Sequence, residues 1–103
     1  MDVAVCSSSD LNFESMIPVQ AGRFALVVFR DKAGVVSALL DRCSHADVKL
    51  SRGTFDGCEV ECPAHGARFD TKSGKNTCMP AVVPVKSFPA REEKGTIIVT
   101  VPD

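Results

Sequence analysis

The sequence predicts an all-β fold, and three observations support that prediction. In short segments of the 103-residue chain, apolar and polar residues alternate or β-branched residues are frequent, and both patterns are typical of strands. No window of a dozen residues keeps its apolar positions at helical spacing. Polar turns separate the segments, such as the serine-rich stretch at residues 7–10. The length suits one compact domain, residues 1–103, without room for a catalytic domain beside a cofactor module.

Strands are predicted near both ends of the chain. A polar turn that ends in Gly34 joins two of them as a hairpin, and residues 91–95 join the last two in the same way. We expect the final hairpin to pair with the N-terminal strands. Residues 1–40 and 81–103 would then form an antiparallel β-sandwich base. The predicted strands are residues 1–6, 16–19, 24–30, 35–40, 82–88 and 96–101.

Residues 41–80 differ from the ends and are predicted to be an inserted subdomain that carries the site on two ligand loops. This region contains both histidines of the chain. Asp56-Gly57 predicts a tight turn that sends the chain back along residues 58–62. Residues 71–74 predict a second turn.

Composition and charge exclude several classes of function. A net charge of −1, with acids and bases interspersed, gives no electrostatic footprint for nucleic acid or an anionic membrane. The longest apolar stretch, residues 24–29, is far too short to span a bilayer, and the N-terminus does not resemble a secretory signal. We therefore expect a soluble cytoplasmic protein. Five cysteines, an odd number, then favour metal or redox chemistry over a disulfide framework.

Two short Cys/His pairs mark the candidate site: C-x-H at residues 43–45 and C-x2-H at residues 62–65. Each pair offers one thiolate and one imidazole to a single metal group. Cys2His2 zinc is one possibility, although zinc spacing normally pairs cysteine with cysteine. A Rieske [2Fe–2S] centre also takes two cysteines and two histidines, and alternating pairs suit two clamping loops. The spacing favours the cluster and leaves structural zinc as the alternative.

Further motifs surround these pairs. They are residues 51–53, 56–57, 60–66, Phe69, Gly74 and residues 80–89. With the two pairs, these motifs resemble the Rieske ferredoxins of bacterial ring-hydroxylating oxygenase systems, over nearly the whole chain. The resemblance implies a Rieske fold, one [2Fe–2S] cluster and an electron-transfer component that is not itself an enzyme.

The resemblance also implies a role for each ligand. Cys43 and Cys62 would bind the buried iron, whereas His45 and His65 would bind the outer iron at the tip of the protein. Residues 79–81 would cover the cluster. No catalytic residue is expected, because protein ligands would occupy every position on the irons.

The remaining cysteines and the acids near the ligands are given structural interpretations. We expect the three other cysteines to be small buried hydrophobes, and the four neighbouring acids to be solvated. The cysteines are Cys6, Cys58 and Cys78, and the acids are Asp41, Asp47, Glu59 and Glu61.

The reduction potential is expected to lie near the low end of the Rieske range. High-potential relatives carry an extra disulfide and hydroxyl donors around the cluster, and this chain has no tyrosine. The matching positions hold Val48, Ala64, Ala67 and Phe69, which can supply neither. We expect about −150 mV.

A low potential predicts single electrons arriving from an NAD(P)H-dependent flavin reductase and leaving to a terminal oxygenase. Docking is expected at the tip around His45 and His65, with Lys49, Arg68 and Lys72 selecting partners at its rim. We expect a monomer. The alternative within the same fold is a Rieske-like small subunit of a reductase such as nitrite reductase, but such subunits commonly lack the four ligands.

Overall fold

The computed structural model describes residues 1–43, 48–64, 66–78 and 83–102. These residues form antiparallel strands, and the described part contains no α-helix, only the short 3-10 turns Ser8–Asp10 and Leu50–Arg52. The all-β prediction is confirmed. The strands are β1 Asp2–Ser7, β2 Ser15–Ala21, β3 Phe24–Arg30, β4 Val36–Leu40, β5 Thr54–Phe55, β6 Glu59–Glu61, β7 Arg68–Asp70, β8 Asn76–Cys78, β9 Ser87–Phe88, β10 Ala90–Glu93 and β11 Thr96–Thr100.

The strands form three sheets. We call β1-β11-β10 the terminal sheet, β2-β3-β4-β9 the central sheet and β5-β6-β7-β8 the site sheet. The terminal and central sheets together are the base. β1 pairs antiparallel with β11, from Asp2 opposite Thr100 to Ser7 opposite Thr96, so the predicted pairing of the two chain ends is confirmed.

The central sheet is buried on both faces. Because side chains alternate along a strand, Leu26 and Val28 of β3 face one core and Val27 and Phe29 face another. The first core also takes residues of the terminal sheet, such as Ile97, and the second takes residues of the site sheet. A strand covered on both sides reads as a continuous apolar run, as residues 24–29 do.

The C-terminal hairpin differs from the prediction. The strand expected at residues 82–88 is wrong over residues 83–86; of the described residues 83–88, Ser87–Phe88 form the strand β9. Pro84 and Pro89 have no backbone N–H to give to a ladder. The expected turn at residues 91–95 is also too long, because β10 runs to Glu93. The turn itself is Lys94-Gly95, both at positive φ, which is the geometry of tight two-residue hairpins.

The site sheet is built entirely from residues 54–78, between β4 and β9 in the chain. The turns predicted at residues 56–57 and 71–74 are present, both at the end of the sheet opposite Cys62. The division of the chain into a base and an inserted subdomain stays a prediction. None of the described residues belongs to a helix long and apolar enough to cross a membrane.

Candidate metal centre

The first Cys/His pair begins just beyond the end of β4. The ladder between β3 and β4 ends at Leu40, and one more hydrogen bond, from the N–H of Asp41 to the carbonyl of Ala25, holds the chain against β3 before it reaches Cys43. Cys43 is buried, with 2% of its surface exposed. Its backbone N–H donates to the carbonyl of Val48 at 2.8 Å and closes the loop whose sequence includes His45. His45 itself lies outside the described residues.

The second pair begins where β6 ends. Cys62 is fully buried, and its backbone N–H donates to the carbonyl of Ala67 at 2.7 Å. The chain between them includes His65, also outside the described residues, and Gly66, whose φ of 72° is the left-handed conformation that glycine adopts readily. In both loops the cysteine N–H bonds to the carbonyl five residues further on. The two loops therefore close in the same way.

The two thiols meet between these loops. Cys43 and Cys62 are in side-chain hydrogen-bonding contact and belong to the same core between the central and site sheets. Burial is the largest cause that raises the pKa of the Cys62 thiol well above its ordinary value, and the contact with Cys43 is the second. The N–H of Ala64 donates to Cys62 Sγ at 3.4 Å and acts in the opposite direction.

Two convergent buried thiols fit an iron–sulfur cluster or a zinc ion, either of which holds cysteine as the thiolate. Within residues 1–43, 48–64, 66–78 and 83–102, no third His, Cys, Asp or Glu joins them to complete a metal-binding group. The predicted ligands His45 and His65 fall outside those ranges, so the four-ligand set stays a prediction.

The other cysteines lie away from this point. Cys6 is half-buried and packs against the core of the base, as expected of a small hydrophobe. Cys58 is exposed in the turn before β6, so the expectation that it is buried is wrong. The backbone of Cys78 ends β8. The described cysteines Cys6, Cys43, Cys58 and Cys62 form no disulfide with one another.

Asp41 corrects the expectation of a solvated acid beside the ligands. It is 5% exposed, and its carboxylate accepts hydrogen bonds from the backbone N–H and the hydroxyl of Ser51, both at 2.8 Å. Composition and alternation give no signal for a buried acid. The available signal was its place at the end of an apolar strand, together with a serine within the motif at residues 51–53. Asp47 lies outside the described residues.

The acids of β6, which were also expected to be solvated, are hydrogen-bonded to an arginine. Arg68 of β7 donates from Nε to Glu59 and from Nη1 to Glu61, each at 2.9 Å, and from Nη2 to Asp56. Three carboxylates around one guanidinium leave this part of the surface with a net negative charge. Hydrogen bonds to Glu59, the largest cause, raise the pKa of Arg68.

Gly74 fixes the segment that returns from the site sheet to the base. Val85 N–H donates to the Gly74 carbonyl at 2.8 Å, and a Cβ on Gly74 would lie 1.9 Å from the carbonyl oxygen of Val85. This close approach needs glycine. The predicted cover at residues 79–81, which precedes this point, lies outside the described residues.

Comparison with known proteins agrees with this geometry. Residues 1–89 match the model of the Rieske [2Fe-2S] domain family. The chain is 36% identical over 95 residues to the ferredoxin component of biphenyl 2,3-dioxygenase from Rhodococcus jostii (strain RHA1), covering 92% of this chain and 88% of the relative. It is 41% identical over 71 residues to the ferredoxin subunit of 3-phenylpropionate/cinnamic acid dioxygenase from Escherichia coli (strain K12), covering 68% and 67%.

A solved structure has the same fold. It is the complex of reduced oxygenase and oxidized ferredoxin in carbazole 1,9a-dioxygenase, in which one chain is 32% identical to this one. The two superpose with a TM-score of 0.88 over 95% of this chain and 91% of the other.

The family match covers well over half of the chain, which therefore belongs to the Rieske [2Fe-2S] domain family. Its cofactor is one Rieske [2Fe–2S] cluster, and the alternative of a structural zinc ion is rejected. Within the family, the two relatives named above are ferredoxin components of dioxygenases. The chain is an electron-transfer protein of that kind and not an enzyme in its own right.

Proposed function

We propose that this ferredoxin carries single electrons from an NAD(P)H-dependent flavin reductase to a terminal ring-hydroxylating oxygenase. The observation that carries the proposal is the convergence of Cys43 and Cys62 from two equally closed loops. We assign these cysteines, with His45 and His65, as the ligands. A bound [2Fe–2S] cluster accepts and releases one electron at a time.

The relatives support the choice of partners. Two of them are named as ferredoxin components of aromatic dioxygenases, and a third is seen in a complex of oxygenase and ferredoxin. We place the protein in the cytoplasm, because Cys6 and Cys58, which lie outside the ligand set, are free thiols, as a reducing compartment keeps them.

A low potential is the second part of the proposal. Hydrogen bonds to the sulfurs raise the potential of such a site. Ala67 and Phe69 are fully buried beside the thiols, and Val48 and Ala64 pack against the same core, yet none has a side-chain hydroxyl. One donor to a ligand sulfur is the backbone N–H of Ala64, at 3.4 Å from Cys62 Sγ. We expect a potential near the low end of the Rieske range, about −150 mV.

We propose that both partners dock on the tip formed by the two ligand loops. Pro63, exposed in the second loop, and half-buried Ala64 give that surface an apolar character. A small apolar contact suits partners that must exchange quickly. Among the predicted rim cations, Lys49 is exposed, whereas Arg68 is engaged by three carboxylates and Lys72 Nζ lies 3.3 Å from Asp31. Of the three, Lys49 is the best placed to select partners.

Reconstitution tests the function directly. Purified ferredoxin is combined with a flavin reductase, NADH and a ring-hydroxylating oxygenase, and product is measured against ferredoxin concentration. We expect a red-brown protein with two irons per chain, and product formation that requires it. A colourless protein that binds one zinc, or turnover that is the same without it, would contradict the proposal.

Docking is tested with a charge reversal at the rim. Lys49→Glu should change turnover with at least one partner, because rim charges set the rate of encounter. Lys94→Glu, in the distant turn between β10 and β11, is the matched control and should leave turnover unchanged. Equal turnover for both variants with both partners would place docking elsewhere.

A further inference from the structure

Asp41 is a buried carboxylate just ahead of the first ligand loop. It is 5% exposed, and its own backbone N–H donates to the carbonyl of Ala25 at 2.9 Å, which holds it against β3. It stands two residues before Cys43 in the chain. A carboxylate in such a place is unfavourable unless its oxygens are hydrogen-bonded.

Both oxygens of Asp41 are satisfied by a single residue on the far side of the loop. Oδ1 accepts from the backbone N–H of Ser51 and Oδ2 from its hydroxyl, each at 2.8 Å. Ser51 follows Leu50, which is fully buried in the core that contains Cys43 and Cys62. The carboxylate therefore ties the entry of the first loop to its exit.

Ser51 also leads directly to the second loop. Two residues further on, Gly53 lies so close to β6 that an added Cβ would be 1.8 Å from the carbonyl oxygen of Glu61 and 3.2 Å from Pro63 Cδ. Glu61 and Pro63 are the two chain neighbours of Cys62. A short path of contacts thus joins the residue ahead of one ligand loop to the residues on either side of the other cysteine.

We propose that Asp41 is a positioning residue for the cluster, acting with Ser51 and Gly53 as a bracket that sets the spacing of the two ligand loops. The proposal rests on the ligand assignment made above. The hydrogen bonds of Asp41 described above go to Ser51 and Ala25, so the bracket acts through loop geometry. Its buried negative charge, two residues from Cys43, also opposes the addition of an electron and holds the potential down.

The chain offers a matched control at the opposite end of the central sheet. Asp31, in the turn after β3, is also nearly buried, with 8% exposed, and its Oδ1 accepts from the backbone N–H groups of Ala33 and Val35 at 2.9 and 2.8 Å. It lies at the end of β3 that pairs with the start of β4, and its Oδ2 pairs with Lys72 Nζ at 3.3 Å in the turn between β7 and β8, at the end of the site sheet opposite Cys62. Asp31→Asn should therefore affect folding without affecting the cluster.

The test compares the holoprotein with Asp41→Asn, Ser51→Ala, Ser51→Thr and Asp31→Asn. The measurements are iron content, bleaching of the visible absorption in excess chelator, the reduction potential, and the midpoint of unfolding. Asp41→Asn and Ser51→Ala should bind the cluster about 10- to 100-fold less tightly, the loss of affinity seen when groups supporting metal ligands are removed, and should therefore bleach faster. Ser51→Thr, which keeps the hydroxyl, should hold the cluster almost as well as the parent protein does. Asp41→Asn should also raise the potential more than Ser51→Ala, because only the first removes the charge.

Each outcome decides the proposal. Cluster loss from Asp41→Asn no faster than from Asp31→Asn, at comparable unfolding midpoints, would overturn the bracket. An unchanged potential in Asp41→Asn would overturn its electrostatic part. If Asp41→Asn fails to fold, Ser51→Ala against Ser51→Thr decides the point. A parent protein with two irons that passes electrons, combined with unaffected variants, would contradict the bracket alone, whereas a parent protein without iron would contradict the proposed function as well.

Discussion

The base and the site sheet are held together by different means. Most strands of the base have four to seven residues, and its two sheets share the core that Leu26 and Val28 of β3 face. The strands of the site sheet have only two or three residues. Such short strands make few ladder hydrogen bonds, and isolated pairs of that kind are marginal in water.

Side chains and close backbone contacts take the place of long ladders in the site sheet. Asp56 accepts from the N–H groups of Cys58 and Glu59, and Arg68 links three carboxylates across the strands. Gly53 and Gly74 let neighbouring carbonyls approach too closely for any other residue. The strand pattern therefore determines the base, whereas particular residues, with the bound cluster, determine the region around the site.

Removing a ligand should change the protein most. Cys62→Ala should abolish cluster binding and expose amides of the site sheet to hydrogen exchange, while amides of β3 stay protected, because metal binding contributes to the folding of small metal sites. Cys58→Ala removes an exposed thiol from the turn before the same strand and should keep full iron content. Iron analysis and hydrogen exchange measure both. Equal loss of protection in the two regions would contradict the comparison.

The next effect compares two glycines at almost the same φ. Gly74 at φ 79° lies against the Val85 carbonyl, whereas Gly95 at φ 80° has nothing within 4 Å of its added Cβ. Gly95→Ala should cost only the strain of the left-handed conformation, about 1–2 kcal/mol. Gly74→Ala adds a collision with backbone and should cost about 3 kcal/mol or more. Urea unfolding measures both, and equal losses would mean that the close approach is unimportant.

The ion pair within the base should make the stability of the fold depend on pH in the acid range. Arg30 donates from both Nη atoms to Glu92, at 3.0 and 2.8 Å. The Arg30 hydrogen bonds, the largest cause, lower the pKa of Glu92 from 4.5 to about 2. A lowered carboxyl pKa stabilises the fold at neutral pH, and this contribution is lost as the pH falls from 4.5 to about 2.

Glu92→Gln should therefore destabilise the base at pH 7 and flatten the fall in stability through that acid range. Glu93→Gln removes a carboxylate from the same strand without touching Arg30 and should preserve the slope. Thermal unfolding followed by far-UV circular dichroism measures the difference. An identical pH profile for Glu92→Gln and the parent protein would exclude this role for the ion pair.

The smallest effect is expected at Arg68. Its side chain is 30% exposed, and exposed ion pairs contribute little. Arg68→Met should lower the melting temperature slightly at low salt, since three carboxylates lose their common partner, and added salt should narrow the difference by screening their repulsion. Arg91→Met, which breaks a similar exposed cluster in the base, is the control. A large loss that salt does not reduce would show that Arg68 has a packing role.

The base was the more predictable region. The apolar run at residues 24–30 and the turn ending in Gly34 predict the β3–β4 hairpin as it is found. Prediction failed at residues 83–86, whose alternating valines resemble a strand. There the backbone makes separate hydrogen bonds, from Val85 to Gly74 and from Leu40 to Lys86, in place of a continuous ladder. Local pattern does not reveal such long-range pairing.

For the site, the sequence predicts the donors and not their supports. Spacing alone singles out Cys43 and Cys62, and the structure brings their thiols together. The burial of Asp41 depends on Ser51, ten residues away, and the exposure of Cys58 depends on a turn that the pattern treats as part of a strand. Both are properties of tertiary contacts, which periodicity cannot express.

A potentiometric titration of the purified ferredoxin, followed by its visible spectrum, tests the ligand assignment most directly. Two neutral histidines in place of two thiolates leave the oxidised site uncharged, so it should take up one electron near the low end of the Rieske range, about −150 mV. Ligation by four cysteines, for which the chain has enough, would place the potential near −400 mV, about that of plant-type ferredoxins. The first value would support Cys43, His45, Cys62 and His65 as the ligands, and the second would contradict them.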